Sequence, residues 1–162
     1  MAEFQSFEPG VEVSGEVVAA FVAGFPQEVQ RAGLDALAQH GIPDPKAGEF
    51  YLLQKLLDAM KEISGLYSHE MLYRVGKEIA LHAKLPPDID SLEKCLASID
   101  IAYHMNHRSG NIGNYNYVPP ENNSHSMNKA KMICPNPYPC SFDLGCIEGF
   151  AQRFKPPQCV DV

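Results

Sequence analysis

Val17, Val18, Phe21, Val22 and Phe25 recur at the spacing of one helix face behind Ser14, whose hydroxyl suits the first turn, and Pro26 closes the run. Val11 and Val13 alternate ahead of it as a short strand. Pro26 also fits the start of a second helix carrying Val29, Leu34, Leu37 and Ala38, with His40-Gly41 as a left-handed stop. The prolines of Ile42-Pro43-Asp44-Pro45-Lys46-Ala47-Gly48 then force a loop. Phe50, Leu53, Leu57, Met60 and Ile63 predict a third helix, and Ser68 opens a fourth with Met71, Leu72, Val75 and Ile79.

A fifth helix is announced by the rigid Leu85-Pro86-Pro87-Asp88-Ile89 and by Asp90-Ser91-Leu92-Glu93, where the Asp90 and Glu93 carboxylates form a capping box. Its stripe is Leu92, Leu96, Ile99 and Tyr103, and it is expected to end near Arg108-Ser109-Gly110. From Asn111 to Asn128 the helical stripe disappears. Period-two alternation over 112–118 predicts a strand with Tyr115 and Tyr117 on one face. Pro119 to Ser124 reads as a loop, and 129–134 as a returning strand of a hairpin. Beyond a proline-stiffened corner, Ser141 or Asp143 is expected to cap a last helix with Ile147, Phe150, Ala151 and Phe154 inward, ended by Pro156-Pro157. The pattern is α+β: a helix-rich single domain over 1–162, mainly helical over 1–110, with a small antiparallel sheet and a last helix within 111–162.

Composition narrows the partners. At 162 residues and 45% apolar content, one domain with a full core is expected. Thirteen basic against twenty acidic residues leave a net charge of −7, which opposes nucleic-acid binding. The longest apolar run, Val17 to Ala23, is too short to cross a bilayer, and the first ten residues lack a basic leader, so a cytoplasmic location without membrane attachment is expected. Five cysteines, Cys95, Cys134, Cys140, Cys146 and Cys159, form an odd set that argues for free thiols.

Three constellations carry chemistry. His104 and His107 stand three apart on a helix and, with Cys134 and Cys140, offer imidazole and thiolate donors for zinc or iron. Against that set, five residues separate the two cysteines, three of them proline; the alternative is that the imidazoles bond backbone and the thiols pack. Cys146, expected in the first turn of the last helix with Cys140 as resolving partner, suggests thiol redox, although Asp143 and Glu148 oppose a low thiol pKa. Tyr103, Tyr115, Tyr117, Tyr138 and Phe142 are the candidate lining of an apolar ligand pocket. His69, His82 and His125 are isolated, and no nucleotide-binding, nucleophile-elbow or H-E-x-x-H motif occurs.

The segments Tyr73-Arg74-Val75-Gly76-Lys77-Glu78-Ile79, Ile99 to Arg108, and Cys134-Pro135-Asn136-Pro137-Tyr138-Pro139-Cys140-Ser141-Phe142-Asp143 together resemble bacterial sensory proteins related to the 4-vinyl-reductase and haem-NO-binding domains. The resemblance covers roughly eighty residues. It implies helices packed on a small antiparallel sheet, a pocket for a small apolar ligand and a signalling partner protein: a sensory module, not a turnover enzyme. No haem-ligand motif of that group can be matched here, so zinc, iron or haem stays an open cofactor. The group also implies one or two strands after the last helix, with a charged turn and another cysteine, where this sequence has only Gln158-Cys159-Val160-Asp161-Val162. A two-stranded sheet is marginal, so either Val11–Val13 or a second protomer is expected to complete it, the latter making a homodimer. The alternative is a metal-dependent or thiol-redox enzyme built on His104, His107, Cys134 and Cys140. Either way, the 134–146 corner is expected to dock on the end of the tyrosine-histidine helix.

Overall fold

The computed structural model describes residues 3–120 and 130–154. The chain runs β1 (Glu12–Ser14), α1 (Gly15–Ala23), α2 (Gln27–Gln39), β2 (Phe50–Leu52), α3 (Leu53–Tyr67), α4 (His69–His82), α5 (Leu92–Met105), β3 (His107–Arg108), β4 (Asn116–Val118), β5 (Lys131–Ile133) and α6 (Cys140–Arg153). The expected fold class holds: helices packed with small antiparallel sheets, around one cluster of buried apolar side chains drawn from every helix. The expected Pro119–Ser124 loop from residue 121 onward, His125, Lys129 at the head of the expected returning strand, the stop at Pro156-Pro157 and Cys159 lie outside the described residues.

Local chemistry sets most boundaries as expected. Ser14 caps α1 by accepting from the Val17 N–H. After α2, Gly41 takes φ +85° while the Ile42 N–H reaches back to the Leu37 carbonyl, a left-handed stop that satisfies the last carbonyls. α5 starts one residue later than the capping-box reading: Ser91, not Asp90, accepts from the Lys94 N–H, and Asp90 instead pairs with Lys94 Nζ at 2.8 Å. It ends at Met105, short of Arg108, because His107 and Arg108 leave the helix to pair with β1.

Sheet pairing differs from expectation in ways local pattern does not carry. β1 is the centre of a three-stranded sheet, pairing Val13 with Tyr51 of β2 and with His107 of β3. Phe50 therefore belongs to a strand and not to the α3 stripe, and its ring receives the Arg108 guanidinium at 3.7 Å. The expected hairpin forms as β4 and β5, with Tyr117 opposite Met132. It is a separate two-stranded ladder that β1 does not join. The strand expected over 112–118 is confined to 116–118; residues 112–115 are irregular and lie on the core.

α6 is placed by glycines. It begins at Cys140, ahead of the expected Ser141 or Asp143 cap, and buries Phe142, Asp143, Gly145 and Gly149; Ile147, Phe150, Ala151 and Phe154 are half-buried. A Cβ at Gly145 would stand 2.0 Å from the Tyr73 carbonyl, one at Gly149 2.6 Å from that of Lys77, and one at Gly76 2.4 Å from that of Phe142. α4 and α6 thus touch backbone to backbone, which carries the corner ahead of α6 onto the end of α5.

Candidate functional site

The expected docking occurs, and a buried polar and aromatic junction forms there. Tyr103 in the last turn of α5 stacks edge-on against Tyr115 at 5.1 Å and Tyr138 at 6.1 Å, and Tyr138 lies along Phe142 at 5.5 Å between centroids. The Tyr103 hydroxyl donates to the Ile112 carbonyl at 2.6 Å. Gly113, at φ +79°, lets the 112–115 segment meet the corner, for a Cβ there would stand 2.0 Å from the Pro135 carbonyl. The Asn114 N–H donates to that same carbonyl at 3.2 Å.

His107 is 7% exposed. Its Nδ1 lies 2.7 Å from the Tyr103 carbonyl and its Nε2 2.9 Å from the Tyr138 hydroxyl. A carbonyl only accepts, so Nδ1 carries the proton, and in the neutral ring Nε2 accepts from the Tyr138 hydroxyl. Burial favours that form and moves its pKa down to about 4, against the backbone bond to Tyr103, which favours the charged ring.

Asp143 is 4% exposed. One carboxylate oxygen accepts from the Tyr115 hydroxyl and the other from Asn136 Nδ2 at 3.1 Å, while Asn136 Oδ1 accepts the Tyr138 N–H at 2.8 Å. Burial pushes the carboxyl up to about 7, outweighing the two donors that favour the anion. The same burial raises Tyr103, Tyr115 and Tyr138 well above the usual phenol range. Sequence reasoning took Asp143 for a helix cap and passed over Asn136; an acid and an amide among apolar and proline residues was the available signal.

The N-terminal segment closes the corner from outside. The Phe4 N–H donates to the Pro137 carbonyl at 3.0 Å, and Glu3 Oε1 accepts the Cys140 N–H at 3.0 Å, so a carboxylate from the far end of the chain caps α6. That bond lowers the Glu3 pKa, and a Cys140 thiol bond to the same carboxylate raises the Cys140 pKa.

The metal set is not assembled. His104 points outward, its Nδ1 2.9 Å from the Asp100 carbonyl, whereas both His107 nitrogens are engaged inside. Cys140 is exposed and Cys134 half-buried, and among the described residues no three His, Cys, Asp or Glu side chains come together to hold an ion. These donors do not fit zinc, iron or haem. The redox reading meets a similar obstacle: Cys146 is the seventh residue of α6, beyond its first turn, and burial raises its thiol pKa and lifts Cys134 to about 12.

Of the five rings expected to line a pocket, Tyr103, Tyr115, Tyr138 and Phe142 gather but fill the space with one another; Tyr117 stays half-buried on β4. A hollow of about 460 Å³, open to solvent, lies beside them, lined by Asp100, Ile101, His104, Met105 and Asn114. Asp100 joins the two, since Oδ1 on the hollow's wall accepts the Tyr115 N–H at 2.7 Å. No protein-family model, curated protein or solved structure matches this chain, so its function is read from the chemistry of these residues.

Proposed function

We propose that this chain is a non-catalytic, small-ligand-binding sensory module, with its ligand seated in the hollow at Asp100, Ile101, His104, Met105 and Asn114. The observation that carries this reading is the position of Asp100, one hydrogen bond from Tyr115 and, through the Tyr115 hydroxyl, one more from buried Asp143. An occupant that engages Asp100 competes for the acceptor that holds Tyr115, so binding at the surface reaches the interior junction. The hollow's size falls in the range of small-molecule sites, and its apolar Ile101 and Met105 beside an imidazole, a carboxylate and an amide suit a small amphipathic ligand. Raised thiol pKa values and a neutral, fully bonded His107 speak against nucleophilic turnover.

The rest of the reading follows from the same features. A cytoplasmic location fits the free thiols of Cys95, Cys134, Cys140 and Cys146, and no helix among the described residues is long and apolar enough to cross a membrane. Signalling to a protein partner, with a homodimer as the working state, fits the isolated β4–β5 ladder, on which Val118 and Ile133 are exposed.

Amide NMR with phenol, indole, benzoate and hexanoate as probes tests the ligand site. Saturable shifts at Asn114 and Tyr115, weakened several-fold by His104→Ala, are expected. Shifts from none of the four probes, or shifts centred away from these residues, would overturn the assignment.

A further inference from the structure

The Asp143 carboxyl is the junction of three segments: Tyr115 from the irregular stretch before β4, Asn136 from the corner, and Asp143 itself from α6. Asn136 passes the connection to Tyr138, and Tyr138 to His107, whose other nitrogen holds the Tyr103 carbonyl. The groups that face the carboxyl are Tyr103 of α5, Tyr115 ahead of β4, Cys134, Asn136 and Tyr138 of the corner, Cys140 and Cys146 of α6, and Glu3 of the N-terminal segment. α4 presents Gly76 to this part of α6, and its Lys77 ammonium sits over the Tyr73 ring at 5.9 Å. Among the described residues, every direct partner of the carboxyl is therefore a neutral donor, with no cation to fix the charge.

A carboxylate suits two donors aimed at it. A carboxylic acid does not, because its own O–H then faces a donor and one of the two must give way. The Tyr115 hydroxyl can turn its proton aside and accept. Asn136 cannot accept through its NH₂, and flipping the amide would break the bond from the Tyr138 N–H.

We propose that the Tyr115–Asp143–Asn136 junction is a proton-operated switch: a proton taken from solvent onto Asp143 reverses the Tyr115 hydrogen bond and turns the charge-assisted bond from Asn136 into a weaker neutral one, easing the corner's hold on the head of α6. Only that proton is gained and no covalent bond to carbon or sulfur changes. The switch requires no ligand and stands apart from the sensory reading.

The position of the carboxyl's titration puts this in a physiological range, since burial moves it from 3.8 to about 7. Between those values the folded chain holds a proton that the unfolded chain has released, so stability falls as pH rises. His107 works with the opposite sign. Its pKa falls from 6.5 to about 4, so the unfolded chain binds the extra proton and stability rises with pH across that window. Each group alone changes the folding equilibrium by about tenfold per pH unit, and in the native chain the two slopes oppose each other.

Side-chain carboxyl ¹³C NMR of the unmodified protein tests the proposal directly. An Asp143 midpoint near neutrality is expected, with Tyr115 ring and Asn136 amide resonances moving at the same midpoint. A midpoint near 4, or neighbours that do not follow, would overturn it. Melting temperatures across pH 4.5 to 6.5 give a second reading: Asp143→Asn should unmask a rise with pH, and His107→Gln a fall. An Asp143→Asn profile parallel to wild type would count against the switch; if that variant does not fold, the NMR midpoint decides.

Discussion

Asp143 is held by neutral donors in a region of rings, so desolvation opposes its charge and hydrogen bonds support it. Removing the Tyr115 hydroxyl strips one of those supports. Tyr115→Phe should therefore raise the Asp143 pKa further and cost about 1–3 kcal/mol at pH 8, where the carboxylate is left short of a donor. At pH 5.5, where the acid is already protonated, the loss should be smaller. Urea denaturation at both pH values measures the difference. His107 was legible in the sequence as a residue of interest, but its role was not: two histidines three apart suggest a shared helix face, whereas the chain leaves the helix between them, and β1 takes His107 into a sheet. No spacing rule shows where a helix yields to a strand from a hundred residues away.

Among the elements, α4 and α6 are bound most closely. Gly145 and Gly149 bring α6 against carbonyls of α4, where a methyl group has nowhere to go. Gly149→Ala should cost about 1–3 kcal/mol or more through displacement of the two backbones. A methyl group on Gly65 in α3 would meet nothing within 4 Å, and Gly65→Ala should stabilise by roughly 0.5–1 kcal/mol through helix propensity alone. Thermal melts of the pair should thus move in opposite directions. The helices were readable from their apolar stripes because helical contacts are local. β2 and β3, three and two residues long, were not, because their only warrant is pairing with β1. The start of α6 was misplaced for a similar reason: its capping carboxylate, Glu3, comes from the other end of the chain.

For the whole molecule, the sequence's α+β pattern and the docking of the 134–146 corner on α5 carried through, while the division into two sheets did not. The separate β4–β5 ladder bears on assembly. Val118 and Ile133 are 42% exposed on it, and if a second protomer covers them, Val118→Asp with Ile133→Lys should turn a dimer into a monomer. Sedimentation velocity of both forms checks this, and an unmodified chain that sediments as a monomer at all concentrations would contradict the dimer.

Glu3 and Phe4 have a practical bearing on how the protein is handled. Because their carboxylate and amide are fastened to Cys140 and Pro137, any change at residues 3 and 4 would tug at the very joint whose protonation is to be followed. Titrations are best run on material in which Glu3 and Phe4 are left unchanged; otherwise an altered midpoint reports the lost fastening and not the acid.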